Sequence, residues 1–343
     1  MARATEALPP LGARESLDSR LPTLEELEEA AALVYTAMPP TPQYRWPLLS
    51  RRVGTELWVK HENHTPVGAF KVRGGLVYFH HLRGVQPAVP GVVCATRGNH
   101  GQSVAFAGGR QGVRVTVVVP HGNSTEKNAA MRGLGAELVE AGHDFQSASE
   151  AAVRLAEERG WHAMPTFHPL LVRGVGTYAL ELLRAAPHLD TVYVPIGLGS
   201  GICGMIAARD ALGLHTKVVG VVSTAAPAYA LSLAARRPVE HEVSTRIADG
   251  MACRTPRPEA LTLIASGVDR IVEVTDDQVE DAMRALYHDT HAVAEGAGAA
   301  ALAAATAERD RIRGRAVGVV LSGGNVDSGP FSRILAGRTA EPA

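Results

Sequence analysis

Two spacings of hydrophobic residues alternate along most of the chain. Stretches such as "VRVTVVVP", "TVYVPI", "KVVGVVS" and "AVGVVLS" are rich in apolar and β-branched residues, which is typical of parallel strands covered by helices on both faces. Between them, segments such as "FQSASEAAVRLAEERG" and "DDQVEDAMRALYHD" place apolar residues at helical spacing. This alternation of strand-like and helix-like segments predicts an α/β protein.

The first helix has the clearest boundaries. In "TLEELEEAAALVYTAM", Thr23 and Glu26 form a capping box ahead of apolar residues at helical spacing, and Pro39 and Pro40 end the helix. We expect residues 1–20 to be a disordered leader. No repeat or low-complexity linker marks a domain boundary, so we place one near residues 160–168. Residues 21–55 and 161–343 then form a large cofactor-binding domain, and residues 56–160 form a small domain.

Composition excludes several classes of protein. The 343 residues are 46% hydrophobic and include 35 glycines, which is enough for a large core and for two domains. A formal charge of -1 without a Lys/Arg-rich run gives no attraction to nucleic acid. We find no apolar signal core and no apolar run of membrane-spanning length, so we expect a cytoplasmic protein without a membrane partner. Three scattered cysteines, Cys94, Cys203 and Cys253, are predicted to be buried small hydrophobes.

One lysine stands in an unusual setting. Lys71 lies in "HTPVGAFKVRGG", a stretch that is largely apolar or glycine, whereas the other three lysines, Lys60, Lys127 and Lys217, lie in segments that predict solvated side chains. Partial desolvation lowers the pKa of an amine, which favours a lysine that forms an imine. A lysine whose stem runs past Phe70 to solvent is the alternative.

Three unusual loops follow predicted strands, where open parallel sheets bind ligands. In "ATRGNHGQS", backbone N–H groups at a helix start can face an anion while Asn99 and His100 are displayed. In "GLGSGICG", the glycines match a dinucleotide fingerprint, but the next strand ends at Ser223 instead of an acidic residue for a ribose. That loop therefore suits a single phosphate better than NAD. In "LSGGNVD", Ser322 ends a strand.

One ligand accounts for all of these features. The loop at residues 197–201 offers a phosphate site, Lys71 can react with an aldehyde, and Asn99 and Ser322 can bond the edges of a flat ring. Pyridoxal 5'-phosphate has a phosphate, an aldehyde and such a ring.

The order of motifs resembles a known family. The motifs "GAFKVRGG", "TRGNHGQ", "GVGTYALE", "PIGLGSGICG", "IADGMA", "AEGAGAA" and "LSGGN" are similar to those of the pyridoxal-phosphate enzymes of the tryptophan-synthase-β fold, and within them of the serine/threonine dehydratases. The resemblance covers residues 41–327. It implies two open, mostly parallel twisted sheets covered by helices, the architecture of fold type II pyridoxal-phosphate enzymes.

The resemblance also implies roles for individual residues. Lys71 is implied to hold the cofactor covalently, with Phe70 packed on its ring, Asn99 at the ring hydroxyl and Ser322 at the pyridine nitrogen. A serine hydroxyl is too weak an acid to protonate that nitrogen, which suits β-elimination better than transamination. The phosphate is implied to bind Gly197, Leu198, Gly199, Ser200 and Gly201, and the substrate carboxylate is implied to bind the loop with Thr96, Gly98, Asn99 and His100.

Three positions depart from the family pattern. Ala69 replaces a usual serine before Phe-Lys, and Arg97, which either binds a substrate carboxylate or points to solvent, replaces a usually small residue. Asp249 is preceded four residues earlier by Thr245, where members that bind an activating cation tend to have an acidic residue. Asp249 and Glu295 remain candidates for a monovalent or divalent cation site, the alternative being carboxylates that bond backbone amides.

The expected function is a hydroxy amino acid dehydratase. We expect a homodimer that converts a small amino-acid substrate, either L-threonine or L-serine or the bulkier threo-3-phenylserine, to a 2-oxo acid and ammonia by α,β-elimination. Tyr44 and Trp46, predicted near the first motif, and Arg97 favour phenylserine. An amino-acid racemase on the same scaffold and a non-catalytic amino-acid sensor are the alternatives.

Overall fold

The computed structural model describes residues 20–337, so nearly all of the leader predicted for residues 1–20 lies outside the described residues. The described strands are β1 (Gln43–Arg45), β2 (Glu56–His61), β3 (Gly91–Ala95), β4 (Arg114–Val119), β5 (Glu137–Glu140), β6 (His162–Ala163), β7 (Thr191–Pro195), β8 (Lys217–Ser223), β9 (Arg270–Val274) and β10 (Ala316–Leu321). The described α-helices are α1 (Leu24–Val34), α2 (Pro47–Val53), α3 (Lys71–Val85), α4 (Asn99–Arg110), α5 (Thr125–Gly133), α6 (Phe145–Arg159), α7 (Pro169–Ala185), α8 (Ser200–Ala211), α9 (Ala228–Ala235), α10 (Pro258–Ala265), α11 (Asp276–Thr290), α12 (Gly296–Ala307) and α13 (Ser328–Leu335).

The strands form two sheets. One has six strands in the order β1-β2-β10-β7-β8-β9, and the other has four in the order β5-β4-β3-β6. Every pair is parallel except β1 with β2. The central strands are buried along nearly their whole length, because their runs of valine are covered by helices on both faces. The predicted α/β class with two mostly parallel sheets is confirmed.

Sheet membership differs from the predicted small domain at both of its ends. The sequence assigns residues 56–160 to the small domain, but β2 at the start of that range pairs in register with β10 in the larger sheet. Conversely, β6 lies beyond residue 160 and pairs with β3 in the smaller sheet. Both strands find partners far away in the chain, which sequence spacing does not reveal. The remaining division into two domains stays a prediction.

The helices agree with the sequence pattern at most places. Helix α1 begins after Thr23 with the predicted capping box to Glu26. Helix α7 was not identified as a helix from the sequence, although its residues carry the "GVGTYALE" motif. Most of its residues are buried, and it packs against α1, α3 and α8. A helix covered on several sides lacks the polar face that marks an amphipathic pattern.

Two lysines expected to be solvated are buried, and so is the neighbouring histidine His61. Lys60 is fully buried on β2, Lys127 is 7% exposed on α5, and His61 is 1% exposed. Each has a polar partner that compensates its burial: Lys60 contacts Glu181, Lys127 contacts Asp249, and His61 accepts a hydrogen bond from Trp46. The three cysteines are free and buried, as predicted.

A buried ion network joins β2, α3 and α7. The Arg73 guanidinium donates to both carboxylate oxygens of Glu62, at 2.7 and 3.0 Å, and to those of Glu181, at 2.6 and 3.0 Å. Lys60 Nζ lies 2.5 Å from Glu181 Oε2. Arg73 is two residues after Lys71, so the network anchors the first turn of α3.

Candidate active site

A cavity of about 950 Å³ contains every residue of the predicted site in its wall. Its lining includes residues that follow β3 in the smaller sheet and residues that follow β7 and β10 in the larger sheet. This position beyond strand carboxyl ends is where open parallel sheets bind ligands. The predicted residues in the wall are Phe70, Lys71, Thr96, Arg97, Gly98, Asn99, His100, Gly197, Leu198, Gly199, Ser200, Gly201, Asp249, Glu295 and Ser322.

Lys71 is held at the start of α3 by the loop that contains Ser322. The backbone N–H of Phe70 donates to the carbonyl of Ser322 at 3.0 Å, and Gly324 N–H donates to the carbonyl of Gly68 at 2.9 Å. The Thr65 hydroxyl bonds both backbone groups of Ala69, each at 2.9 Å. These bonds bring the lysine loop and the "LSGG" loop, which lie some 250 residues apart in sequence, to the same wall.

The environment of Lys71 favours its neutral amine. Burial lowers the pKa of Lys71 to about 8, although the nearby Glu295 carboxylate opposes the shift. Its Nζ lies 5.0 Å from the centre of the Phe70 ring, which leaves the amine on an apolar wall. At neutral pH an appreciable fraction of this lysine is unprotonated and can attack an aldehyde.

This pKa makes a testable prediction for the apoenzyme. The rate constant for association with pyridoxal 5'-phosphate should rise with pH and level off above about 8, because only the neutral amine forms an imine. An ordinary lysine would give a midpoint near 10.4. Stopped-flow absorbance over pH 6–10 measures the midpoint; a rate that still climbs steeply above pH 9 contradicts the assigned environment.

Two helices present N-termini without side-chain caps to this cavity. Helix α8 begins after Gly199, whose φ of +100° is left-handed, and helix α4 begins after Gly98; neither glycine offers a side-chain acceptor. Free N–H groups and the helix dipole at such ends attract anions. The two sites therefore suit two anionic groups, one at residues 197–201 and one at residues 98–100.

Asn99 is fixed by partners on both ends of its amide. Its Nδ2 donates to Glu295 Oε1 at 2.6 Å, and its Oδ1 accepts from Asn325 Nδ2 at 2.8 Å. Ser322 is 4% exposed, and within residues 20–337 its hydroxyl has no hydrogen-bond partner. Asn99 and Ser322 thus present neutral hydrogen-bonding groups to the cavity.

His100 is neutral and has an unsatisfied nitrogen. Burial lowers the pKa of His100 to about 3, and the charge of Lys71 adds to the shift. Its Nε2 is buried without a hydrogen-bond partner among the described residues. A buried polar atom of this kind on a cavity wall is suited to a bound ligand.

Arg97 is the one residue of the predicted substrate loop that is exposed. It lines the cavity next to Gly98, and no group of the described chain forms a hydrogen bond or ion pair with its guanidinium. Tyr44 and Trp46, in contrast, do not line the cavity. Their rings pack with His61 on β1 and β2.

The two candidate cation ligands lie on either side of an ammonium. Lys127 Nζ is 2.7 Å from Asp249 Oδ2 and 3.6 Å from Glu295 Oε2. Over residues 20–337, no group of three or more His, Cys, Asp or Glu side chains is arranged to hold a metal ion. Sequence reasoning missed Lys127 and Asn325 as parts of this site. Lys127 lies near the start of α5 among polar residues, which predicts a solvated side chain. Asn325 is the last residue of the "LSGGN" motif, and the sequence alone assigned it no role.

Residues 34–323 match the model of the family described as pyridoxal-phosphate dependent enzyme. The chain belongs to this family. The residues present also fit the cofactor, since the cavity combines an amine of low pKa, an uncapped helix N-terminus for a phosphate and neutral donors for a pyridine ring. The chain is therefore a pyridoxal-phosphate-dependent enzyme. In the described part of the chain, no helix is long and apolar enough to cross a membrane.

Curated relatives cover most of the chain. It is 34% identical over 314 residues to an L-threonine ammonia-lyase of Thermotoga maritima, covering 91% of this chain and 78% of the relative. It is 36% identical to the biosynthetic L-threonine dehydratase of Escherichia coli, of which it spans 58% while 86% of this chain is covered. An L-threo-3-hydroxyaspartate ammonia-lyase of Saccharomyces cerevisiae is 29% identical, covering 94% of this chain and 99% of the relative.

Solved structures of the same fold include two with different activities. The processed form of threonine deaminase isoform 2 from Solanum lycopersicum is 27% identical with a TM-score of 0.83, covering 96% of this chain and 99% of that chain. A pyridoxal 5'-phosphate-dependent aspartate racemase is 29% identical with the same TM-score, covering 90% of this chain and 97% of that chain.

A substitution in α8 tests the phosphate site. A Cβ atom at Gly201 would make only ordinary contacts, 3.6 Å from the Phe70 ring and the Tyr178 hydroxyl, so Gly201→Asp should fold. Its carboxylate would repel a phosphate, whereas Gly201→Asn has nearly the same shape without the charge. We expect cofactor retention on dialysis to fall much more in the Asp variant than in the Asn variant. Equal retention in the two variants would assign the phosphate to another part of the wall.

Proposed function

We propose that this enzyme is an ammonia-lyase that dehydrates a 3-hydroxy amino acid to a 2-oxo acid and ammonia. The observation that carries the proposal is the convergence of Lys71, with a pKa lowered to about 8, the neutral Ser322 and two anion-binding helix ends on one cavity. The named threonine ammonia-lyases and dehydratases among the relatives support the same reaction. The elimination releases one water, and hydrolysis of the dehydrated product consumes one water. The 3-hydroxy amino acid is therefore converted to a 2-oxo acid and ammonia with no net gain or loss of water.

Each side chain has a defined task in this proposal. The bound cofactor supplies an electron sink for the charge that develops when the Cα proton leaves. Lys71 accepts that proton, because its lowered pKa makes it a base near neutral pH. Ser322 would hold the pyridine nitrogen, and its neutral hydroxyl would leave that nitrogen unprotonated, which would make the cofactor a moderate electron sink suited to elimination of the β-hydroxyl. The N-terminus of α4 holds the substrate carboxylate.

Racemisation is less well supported. A racemase needs a proton acceptor on one face of Cα and a proton donor on the other, and Arg97 cannot be the second such group beside Lys71 because its guanidinium keeps its proton at neutral pH. The racemases among the solved structures share the fold. A protein that only binds an amino acid does not require a lysine with a lowered pKa, such as Lys71.

A substrate panel tests the proposal. The holoenzyme should release 2-oxo acid from at least one of L-threonine, L-serine, threo-3-phenylserine and L-threo-3-hydroxyaspartate, measured by hydrazone formation. Interconversion of enantiomers without 2-oxo acid would indicate the racemase, and binding without any turnover would indicate the sensor.

Arg97 favours a substrate with an acidic side chain as a second, more specific candidate. An exposed guanidinium without a partner on the cavity wall is suited to bind a carboxylate in two-point contact. One relative of similar length is named for L-threo-3-hydroxyaspartate. The case for phenylserine is weaker than the sequence indicated, because Tyr44 and Trp46 lie outside the cavity wall.

Arg97→Met should therefore change selectivity rather than chemistry. We expect kcat/KM for L-threo-3-hydroxyaspartate to fall by about tenfold to a hundredfold, the loss of one charged hydrogen-bonded contact, while kcat/KM for L-threonine changes little. Arg97→Lys, which keeps the charge, should retain part of the preference. If Arg97→Met lowers kcat/KM equally for the two substrates, Arg97 does not bind the substrate side chain.

A further inference from the structure

The Lys127 ammonium occupies the space between two carboxylates of the cavity wall. It is 2.7 Å from Asp249, in the loop before α10, and 3.6 Å from Glu295, the residue before α12. The side chains of Lys127 and Glu295 are 8% and 3% exposed, whereas that of Asp249 is 38% exposed. A carboxylate as buried as Glu295 needs a positive charge or hydrogen bonds beside it.

We propose that Lys127 is a built-in cation that takes the place of a bound metal ion at Asp249 and Glu295, and that it thereby positions Asn99. The inference does not depend on which 3-hydroxy amino acid is the substrate.

Lys127 reaches Asn99 through Glu295. Glu295 Oε2 faces the ammonium, and Glu295 Oε1 accepts the hydrogen bond from Asn99 Nδ2 at 2.6 Å. The stem of Lys127 also supports the same loop directly. A Cβ atom at Gly98 would lie 2.5 Å from Lys127 Cδ, so the absence of a side chain at Gly98 allows the lysine to pass under the loop.

The charges explain why the ammonium matters to Asn99. Glu295 is buried near a second carboxylate, Asp249, and the Lys127 ammonium lies between the two. Without the ammonium, the two carboxylates would face each other unscreened, and Glu295 would lose the contact that holds its Oε1 toward the Asn99 amide.

Helix α5 has other contacts that should survive loss of the lysine. Ser124, which caps α5, donates to Asp327 at 2.5 Å, and Glu126 accepts from both the backbone and the hydroxyl of Ser328. These contacts hold α5 against the region of α13. A variant that lacks the ammonium should accordingly keep α5 in place. Restoring the positive charge with an added small ammonium ion can then test the role of the Lys127 charge.

The experiment compares Lys127→Ala with Lys217→Ala, a lysine exposed at the start of β8. The wild-type holoenzyme should keep its activity after treatment with a chelator and transfer to tetramethylammonium buffer. Lys127→Ala should lose activity by roughly tenfold to a hundredfold, as expected for a displaced active-site group, and Lys217→Ala should lose none. Ethylammonium should restore activity to Lys127→Ala with saturation, and it should raise the melting temperature of that variant and not of wild type.

Several results would overturn the proposal. One is wild-type activity that is lost on chelation and regained with Mg²⁺, Ca²⁺ or K⁺; another is full activity in Lys127→Ala. A third is a folded Lys127→Ala that no added ethylammonium, K⁺ or Mg²⁺ changes in activity or melting temperature. If Lys127→Ala does not fold, Lys127→Met, which keeps the stem beside Gly98, takes its place in the same comparison. Failure of the enzyme on every amino acid of the panel would instead count against the proposed function, since the melting measurements do not require turnover.

Discussion

Lys71→Ala is expected to abolish 2-oxo acid formation almost completely while leaving a folded protein. The substitution removes the proposed attachment point of the cofactor and the proposed base for the Cα proton together. Loss of a general base alone is typically worth about 10²–10⁴-fold in rate, so the combined loss should reach several orders of magnitude. The uncapped N-terminus of α8 is untouched and should still bind the cofactor phosphate. A 2-oxo acid assay, with circular dichroism to check folding, measures both parts of the prediction.

The matched control for this experiment is Lys217→Ala. Lys60 looked from the sequence like a suitable control, but it is fully buried and ion-paired, so Lys60→Ala would damage the fold. Lys217 is exposed and lies outside the cavity wall. Lys217→Ala should keep wild-type turnover. Substantial 2-oxo acid production by Lys71→Ala would contradict the proposed chemistry.

Arg73→Met is expected to give the largest loss of stability. It leaves Glu62 and Glu181 buried without the guanidinium that contacts both carboxylates. Breaking a buried ion pair by removing one partner costs about 3–5 kcal/mol of the free energy of unfolding, which is a large part of the stability of an ordinary domain. Urea unfolding of Arg73→Met and wild type measures the difference. Arg313→Met is the control, because Arg313 forms an exposed pair with Asp310 and should change stability little.

The same network predicts how stability depends on acid pH. Burial raises the pKa of Glu181, but the Arg73 and Lys60 charges outweigh burial and hold it below the ordinary value. A carboxylate whose pKa is lower in the folded state adds stability above its unfolded pKa and loses it as pH falls through its folded pKa. Wild type should therefore lose more stability on acidification than Arg73→Met. Equal acid sensitivity in the two proteins, or an Arg73→Met protein as stable as wild type, would show that the network contributes little.

The predicted site residues share one cavity wall because they lie in short loops directly after strands. Asn99, Gly199 and Ser322 each follow a run of apolar residues whose strand character is plain, and the carboxyl ends of parallel strands converge on one cavity. Lys71 differed from the other lysines because its immediate neighbours are apolar or glycine. Local composition was enough to select these residues as candidates, and their roles stay predictions.

Features that depend on distant partners could not be predicted in the same way. Lys60 looked solvated on an alternating strand, but Glu181 and Thr41 enclose it, and both are brought there by the fold. Lys127 looked solvated in a polar helix, but the loop with Asp249 covers it. The sequence places β2 in the small domain because its partner β10, in the larger sheet, is more than 250 residues away. Burial and pairing of this kind are properties of the tertiary structure alone.

Borohydride reduction of the holoenzyme tests most directly the central claim that Lys71 carries the cofactor. The protein is loaded with pyridoxal 5'-phosphate, reduced, digested and mapped by mass spectrometry, with Lys71→Ala treated in parallel. The assignment predicts a single reduced cofactor adduct on the peptide that contains Lys71, together with loss of the visible absorbance band, and no adduct in the variant. An adduct on Lys60, Lys127 or Lys217 in place of Lys71, or no adduct on a protein that turns over substrate, would contradict it.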